Sequence, residues 1–336
     1  MRLHSRIAAV VMFCIVFSAF VFAANSFVVK QKFALGGDGG WDYLTYDQAG
    51  KRLFITRGTH VIVVDPATGK QLADVPDTPG VHGVALAPEL SKAFISAGRA
   101  SQVVVVDLPS LKETARIPVG DTPDAIAYEP VTSRVFTFNA RSKDTTSIDA
   151  KTNKVIGTIA LGGKPEFAVA NGAGQLFVNI ETTAELAEID AATLKVAHRW
   201  SIKGCEEPTG LALDKTDAIL FSGCSNKTLA VLNAKDGTLL AMLPIGDGVD
   251  GVAYDPESHI AFSSNGEGTL TVIGQKDGKW AVLQNVTTQA GARTLTLNPT
   301  SHEIYVVTAT HGSEPAEGRP TYIPGSFVLI IVGENR

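Results

Sequence analysis

One unit is written seven times along this chain. Asp42, His82, Asp124, Glu166, Thr209, Asp250 and Arg293 each stand directly before a short apolar run, at intervals of about 40 to 43 residues. A period of that length, with four short strand-like stretches in each unit, predicts an all-β chain folded as a single seven-bladed β-propeller.

The unit divides in the same way each time. An alternating run such as Gly83-Val84-Ala85-Leu86 or Gly251-Val252-Ala253-Tyr254 suits the innermost strand of a blade. The second strand carries an aromatic at one equivalent point: Phe54, Phe94, Phe136, Phe177, Phe221, Phe262 and Tyr305. Seven large rings at one period are the expected packing between adjacent blades. The third strand is aliphatic and closes on Asp65, Asp107, Asp149, Asp190 and Asn233, with Gly274 in the sixth unit. Side chains of that type cap the backbone of the turn that follows, which makes them turn formers and not catalysts. The seventh unit runs out of sequence after its third strand, 327–332. The stretch 27–35 is therefore expected to supply its outer strand, so that the two termini pair and close the ring.

The first residues differ from the rest. Arg2 and Arg6 precede an unbroken apolar stretch from Ile7 to Phe22, and Val21-Phe22-Ala23 offers small residues where a signal peptidase reads. Residues 1–24 are read as a signal peptide and 25–336 as the propeller. The apolar run is shorter than the ~20 residues of a spanning helix, so no transmembrane span is expected in the mature chain. Cys14 leaves with the leader. Cys205 and Cys224 then remain as an even pair in an exported protein; with a hairpin turning near Lys215 and Thr216 they fall almost opposite each other, and a disulfide is expected. Taking Arg2 and Arg6 from the 29 basic residues leaves 27 against 34 acidic ones, a formal charge of −7. That balance argues against nucleic acid as a partner.

The second strands Phe136-Thr137-Phe138-Asn139 and Phe262-Ser263-Ser264-Asn265 share an aromatic-x-x-Asn pattern, and Asp65 to Lys70 and Asp149 to Lys154 share an Asp-x-x-Thr turn. In these motifs the mature chain resembles the YVTN-repeat β-propellers, and as a whole exported chain it is similar to the YncE-like branch. The resemblance implies a periplasmic or secreted propeller. It carries no catalytic motif onto any residue here, because the matching positions are packing and turn residues.

A candidate site follows from position in the fold. The start of each innermost strand and the loop between second and third strands open on one face, which gathers Asp42, His82, Asp124, Glu166, Asp250 and Arg293 around the channel mouth, with Glu206 and Glu207 beside Thr209. The loops add Arg57, Arg99, Arg141, Glu181, Asn226, Glu267 and His311, and Trp41 contributes a wall. A long loop, 312–325, containing Arg319 and Tyr322, is placed to cover the mouth. So many acids in a confined mouth call for a compensating cation or a ligand. The carboxylates suit a hard divalent metal ion, and His82 admits a softer one. The expected function is that of an exported binding or scaffold protein for a small molecule, an ion or a periplasmic protein, acting as a monomer. Two alternatives stand beside it: a metal-dependent hydrolase or lyase using the same mouth, with His82 or a carboxyl as base and Arg293 on an oxyanion, and a single-stranded-DNA binder using Arg57, Arg99, Arg141 and Trp41. No Gly-x-Ser-x-Gly elbow and no Cys-x-x-Cys-His motif occurs, so covalent and haem chemistry have no support.

Overall fold

A computed structural model describes residues 26–312 and 321–335. They form seven four-stranded antiparallel sheets, each with its strands in sequential spatial order except the last. In the last sheet Phe27–Ala34 takes the outer place, paired antiparallel to Val328–Glu334 from Phe27 opposite Glu334 to Ala34 opposite Val328. The expected clasp is present, and the fold is a seven-bladed β-propeller. The leader sequence, Cys14 and Arg319 lie outside the described residues.

The seven periodic aromatics are all buried, and each lies in a seam. Phe54 of the first blade packs among Val81, Val84 and Val104 of the second, and Phe94 packs among Val135 and Ile148 of the third. The pattern continues round to Tyr305, which packs with Leu44, Leu53 and Ile62 of the first blade. Full burial of one such ring contributes roughly 2–3 kcal/mol, and one stands in each of the seven seams.

The third-strand acids are turn formers, as read. Asp65 Oδ1 accepts from the Ala67 N–H at 2.9 Å, Asp149 Oδ1 from Lys151 and Thr152 at 3.0 and 2.8 Å, and Asp190 Oδ1 from Ala192 and Thr193 at 2.9 and 2.8 Å. The Asn of the aromatic-x-x-Asn strands closes the next hairpin: Asn139 Nδ2 donates to Asp144 and Thr146, and Asn265 Nδ2 donates to Thr269 and Thr271.

Cys205 and Cys224 are disulfide-bonded, 5.4 Å apart between Cα atoms. The strand partner of Cys224 is Pro208, however, so Cys205 reaches the bond from the loop ahead of the fifth inner strand instead of from a facing strand position.

Candidate functional site

The inner strands of blades two to six carry an irregularity at one equivalent place: between Val81 and Val84, Pro123 and Ile126, Pro165 and Ala168, Pro208 and Leu211, and Val249 and Gly251. A bulge re-aims the side chain beside it. Here it falls on His82, Asp124, Glu166, Thr209 and Asp250. The ring backbone is then tied blade to blade by side chains of neighbouring units. Ser96 Oγ donates to Asp124 O at 2.6 Å, Asn179 Nδ2 to Thr209 O at 2.8 Å, Thr209 Oγ1 to Val249 O at 2.9 Å, and Thr294 Oγ1 to Asp42 O at 2.9 Å.

On this frame the ring side chains meet. His82 Nδ1 lies 2.6 Å from Asp42 Oδ2 and 3.4 Å from Asp124 Oδ1. Arg293 Nε donates to Asp250 Oδ2 at 2.8 Å, while its terminal nitrogen is 3.8 Å from Asp42 Oδ1 and donates to Trp41 O at 3.0 Å. Lys164, absent from the sequence reading, sits 3.1 Å from Glu166 Oε2 and also pairs with Glu181. Five of the seven ring positions are thus linked by charged contacts, and Glu166 pairs with Lys164. Thr209 instead spends its hydroxyl on the backbone.

Electrostatics follow from this crowding. Burial, reinforced by Asp124 and opposed by Lys164, pushes the Glu166 carboxyl up to about 9. Burial, reinforced by Asp42 and opposed by Arg293, raises Asp250 to about 7. Burial, opposed by His82 and reinforced by Asp42, raises Asp124 to about 6. Burial works against the cations, but the carboxylates outweigh it and hold both Lys164 and Arg293 above their ordinary values. The mouth therefore retains protons near neutral pH, first because its acids are buried and then because they crowd one another beyond what its cations offset.

One aromatic contact was not read from the sequence. Tyr43 and Phe167, one residue after ring positions in the first and fourth blades, meet edge to face with centroids 4.9 Å apart. Their blades are not neighbours, so the contact spans the axis. Burial and then the nearby Asp250, Glu166, Asp124 and Asp42 push the Tyr43 phenol well above its usual value, which puts its hydroxyl within reach of four carboxylates' field. At the equivalent places in the fifth and sixth blades stand Gly210 and Gly251, where a Cβ would come within 2.8 Å of Val252 N and Leu295 N respectively. Inner strands pack too closely there for any side chain.

The remaining candidates take several places. Trp41 is 5% exposed, with Tyr322 and Phe327 against it at 4.7 and 5.5 Å, and Arg293 lies 5.6 Å from its ring centre. Arg57 is 4% exposed, its guanidinium 3.6 Å from the Phe327 ring centre and donating to Asp38 O; burial lowers its pKa to about 10. Arg141 is exposed and lies 3.6 Å from Asp121. Glu206 and Glu207 are exposed, and Glu207 holds a φ of 43° in a slot where Gly80, Gly248 and Gly291 stand in other blades, which makes the slot a backbone turn. Tyr322, the described end of the long loop, bridges to His311 and rests on Trp41.

Asp42, His82 and Asp124 present one donor atom each with all three within 4.8 Å, a spacing one metal ion can span. Asp214, Asp217 and His259 form a second such group on the opposite face, but Asp214 already accepts from Thr216, Asp217 and Tyr254.

No family model and no curated protein sequence matches the chain. In structure it is similar to a chain of Kuenenia stuttgartiensis hydrazine synthase, at a TM-score of 0.72 and 17% identity over 80% of this chain and 92% of that one. It is similar to U3-55K at 0.73 and 11% over 92% and 98%, and to the WD40 repeats of RRP9 at 0.74 and 11% over 93% and 98%. At such identities the likeness is one of fold alone, and the fold it supports is the seven-bladed β-propeller.

Proposed function

We propose that this chain is an exported, non-enzymatic binding protein of the YVTN-repeat, YncE-like kind, which holds a cation at the channel mouth. The observation that carries the reading is the charge imbalance of the ring. Asp42, Asp124, Glu166 and Asp250 converge on one pit, and three of the four are driven toward retaining a proton. A bound cation relieves the same repulsion that the proton does, and does so without neutralising the acids. The Tyr43–Phe167 contact across the axis supports a narrow space beneath the ring. The disulfide, and the apolar leader that lies outside the described residues, support export.

Calorimetric titration with Mn²⁺, Ca²⁺ and n-butylamine at pH 7, in two buffers of different ionisation enthalpy, tests this. Binding accompanied by proton release is expected for the wild type, and its loss in Asp42→Asn/Asp250→Asn. An absence of binding by all three probes, or unchanged binding in the double variant, overturns the reading.

The donor set of Asp42, His82 and Asp124 favours a second reading, a metal-dependent hydrolase or lyase at the same mouth. In that reading the metal polarises a carbonyl or acidifies a water, and a raised carboxyl such as Asp250 handles the proton. Chelator-sensitive turnover in a hydrolase and lyase screen separates the two. Trp41 and Arg57 are too covered to serve as a base-stacking and phosphate-binding surface, so single-stranded DNA is the least supported partner.

A further inference from the structure

On the face opposite the mouth, the first three seams are bolted by a cation from the start of each second strand. Arg52 donates to Leu108 O in the second blade at 2.5 Å. Lys92 donates to Ala150 O and Lys151 O in the third at 2.8 and 3.0 Å, and Arg134 to Ala191 O and Ala192 O in the fourth. Each time the acceptors are the first carbonyls after the third-strand acid. In the next three blades the same position is Gln175, which turns to Glu188, and then Ile219 and Ile260, which join the apolar packing of their seams.

In the seventh blade the position is Glu303. The facing turn of the first blade, Asp65 to Gly69, has the same hydrogen bonds as the turn that receives Lys92: Gly69 N–H to Asp65 O at 2.8 Å and Ala67 N–H to Asp65 Oδ1 at 2.9 Å, against Asn153 to Asp149 and Lys151 to Asp149. The carbonyl acceptors are thus built alike, though Gly69 stands where Asn153 Oδ1 also accepts from Lys92, and a carboxylate has replaced the donor. At this seam lies a cavity of about 450 Å³ lined by Glu303, Asp65, Pro66, Ala67, Tyr46 and Tyr305, among others.

We propose that this cavity binds a small organic cation bearing a guanidinium or primary ammonium group, seated between Glu303 and the Pro66–Ala67 turn as Arg and Lys are in the first three seams. Charge-assisted bonds to Glu303 and the turn carbonyls supply the recognition, and the Tyr46 and Tyr305 rings, 5.7 Å apart, supply the wall for its alkyl part. Glu303 already accepts from Ser301 Oγ at 2.9 Å, and Lys30, at the same cavity, donates to Glu334 O, so Lys51 is the competing cation to remove.

The test is a calorimetric titration with agmatine in the Asp42→Asn/Asp250→Asn background, which removes the mouth as a second cation site. Saturable binding is expected there. It should weaken at least about tenfold with Glu303→Arg, which supplies the missing bolt, and with Glu303→Gln, which serves if the arginine variant fails to fold. Lys51→Ala should leave binding equal or tighter. No saturable agmatine binding in the mouth-silenced protein, affinity in both Glu303 variants unchanged from that protein, or loss of binding in Lys51→Ala overturns the proposal.

Discussion

Replacing Glu166 by Gln should flatten the pH dependence of stability above neutrality. A carboxyl raised to about 9 in the fold and near its ordinary value in the unfolded chain keeps a proton on folding that the unfolded chain releases. The folded state then binds more protons than the unfolded one between those two values. Unfolding free energy must accordingly fall as pH rises through that window, by up to about 1.4 kcal/mol per pH unit for each proton retained. Asp124 and Asp250 pass their midpoints near 6 and 7, so Glu166 is the largest contributor from pH 7 to 9. Glu166 is 12% exposed and Lys164 stands 3.1 Å away, so a realised slope of about half the maximum is a fair expectation, or roughly 1–2 kcal/mol over the two units. Urea denaturation midpoints of ligand-free protein at pH 5, 6, 7, 8 and 9 measure it. Wild type should lose stability across the series, and Glu166→Gln should lose less above pH 7. Parallel curves for the two proteins above pH 7, or a wild type that gains stability from pH 5 to 9, would refute the account of the mouth as a proton-retaining cluster.

Arg293→Ala should strand Asp250 and Asp42 together and cost about 2–3 kcal/mol at pH 8, less at pH 5 where the acids are protonated; thermal midpoints at both values check the difference. Cys205→Ala/Cys224→Ala opens a link across 19 residues and should cost about 3 kcal/mol in denaturant titrations under oxidising conditions, with no loss expected from reductant once both cysteines are gone. Phe136→Ala, in the seam between the third and fourth blades, should cost about 3–5 kcal/mol by the same measurement, while Val131→Ala, on an exposed turn, should change it by less than about 0.5 kcal/mol. Phe27→Ala removes an edge-to-face contact with Phe262 and should speed proteolysis at the clasp before the other blades open.

The features that recur with the blade were readable because one physical requirement repeats seven times. The aromatics from Phe54 to Tyr305 fill identical seams, and Asp65, Asp107, Asp149 and Asp190 cap identical turns. The clasp was readable from a missing strand. What escaped the reading breaks the period or depends on meetings across the axis. Tyr43 and Phe167 occupy places that are small in other blades, and nothing in either repeat announces that their rings touch. Lys164 stands in the slot that is Gly80, Gly248 and Gly291 elsewhere, but without their left-handed backbone, and so brings a side chain into the ring. Arg57, placed on the rim from its loop, is held down by Phe327, a residue of the clasp more than two hundred positions away.

Stability and the proposed binding site thus lie at different radii of the same toroid. The seams hold the seven rings at middle radius, and the clasp closes the circle at its outer edge. The ring at the inner radius is positioned by backbone bonds from Ser96, Asn179 and Thr294, whose geometry does not depend on which side chain the ring position carries. That independence lets one bulged position hold His82, Asp124, Glu166 or Thr209 without disturbing its strand. It also explains why the mouth can keep an unfavourable surplus of acid: the excess cost falls on a fold whose stability is accumulated elsewhere, and under the proposed function it is recovered when a cation enters.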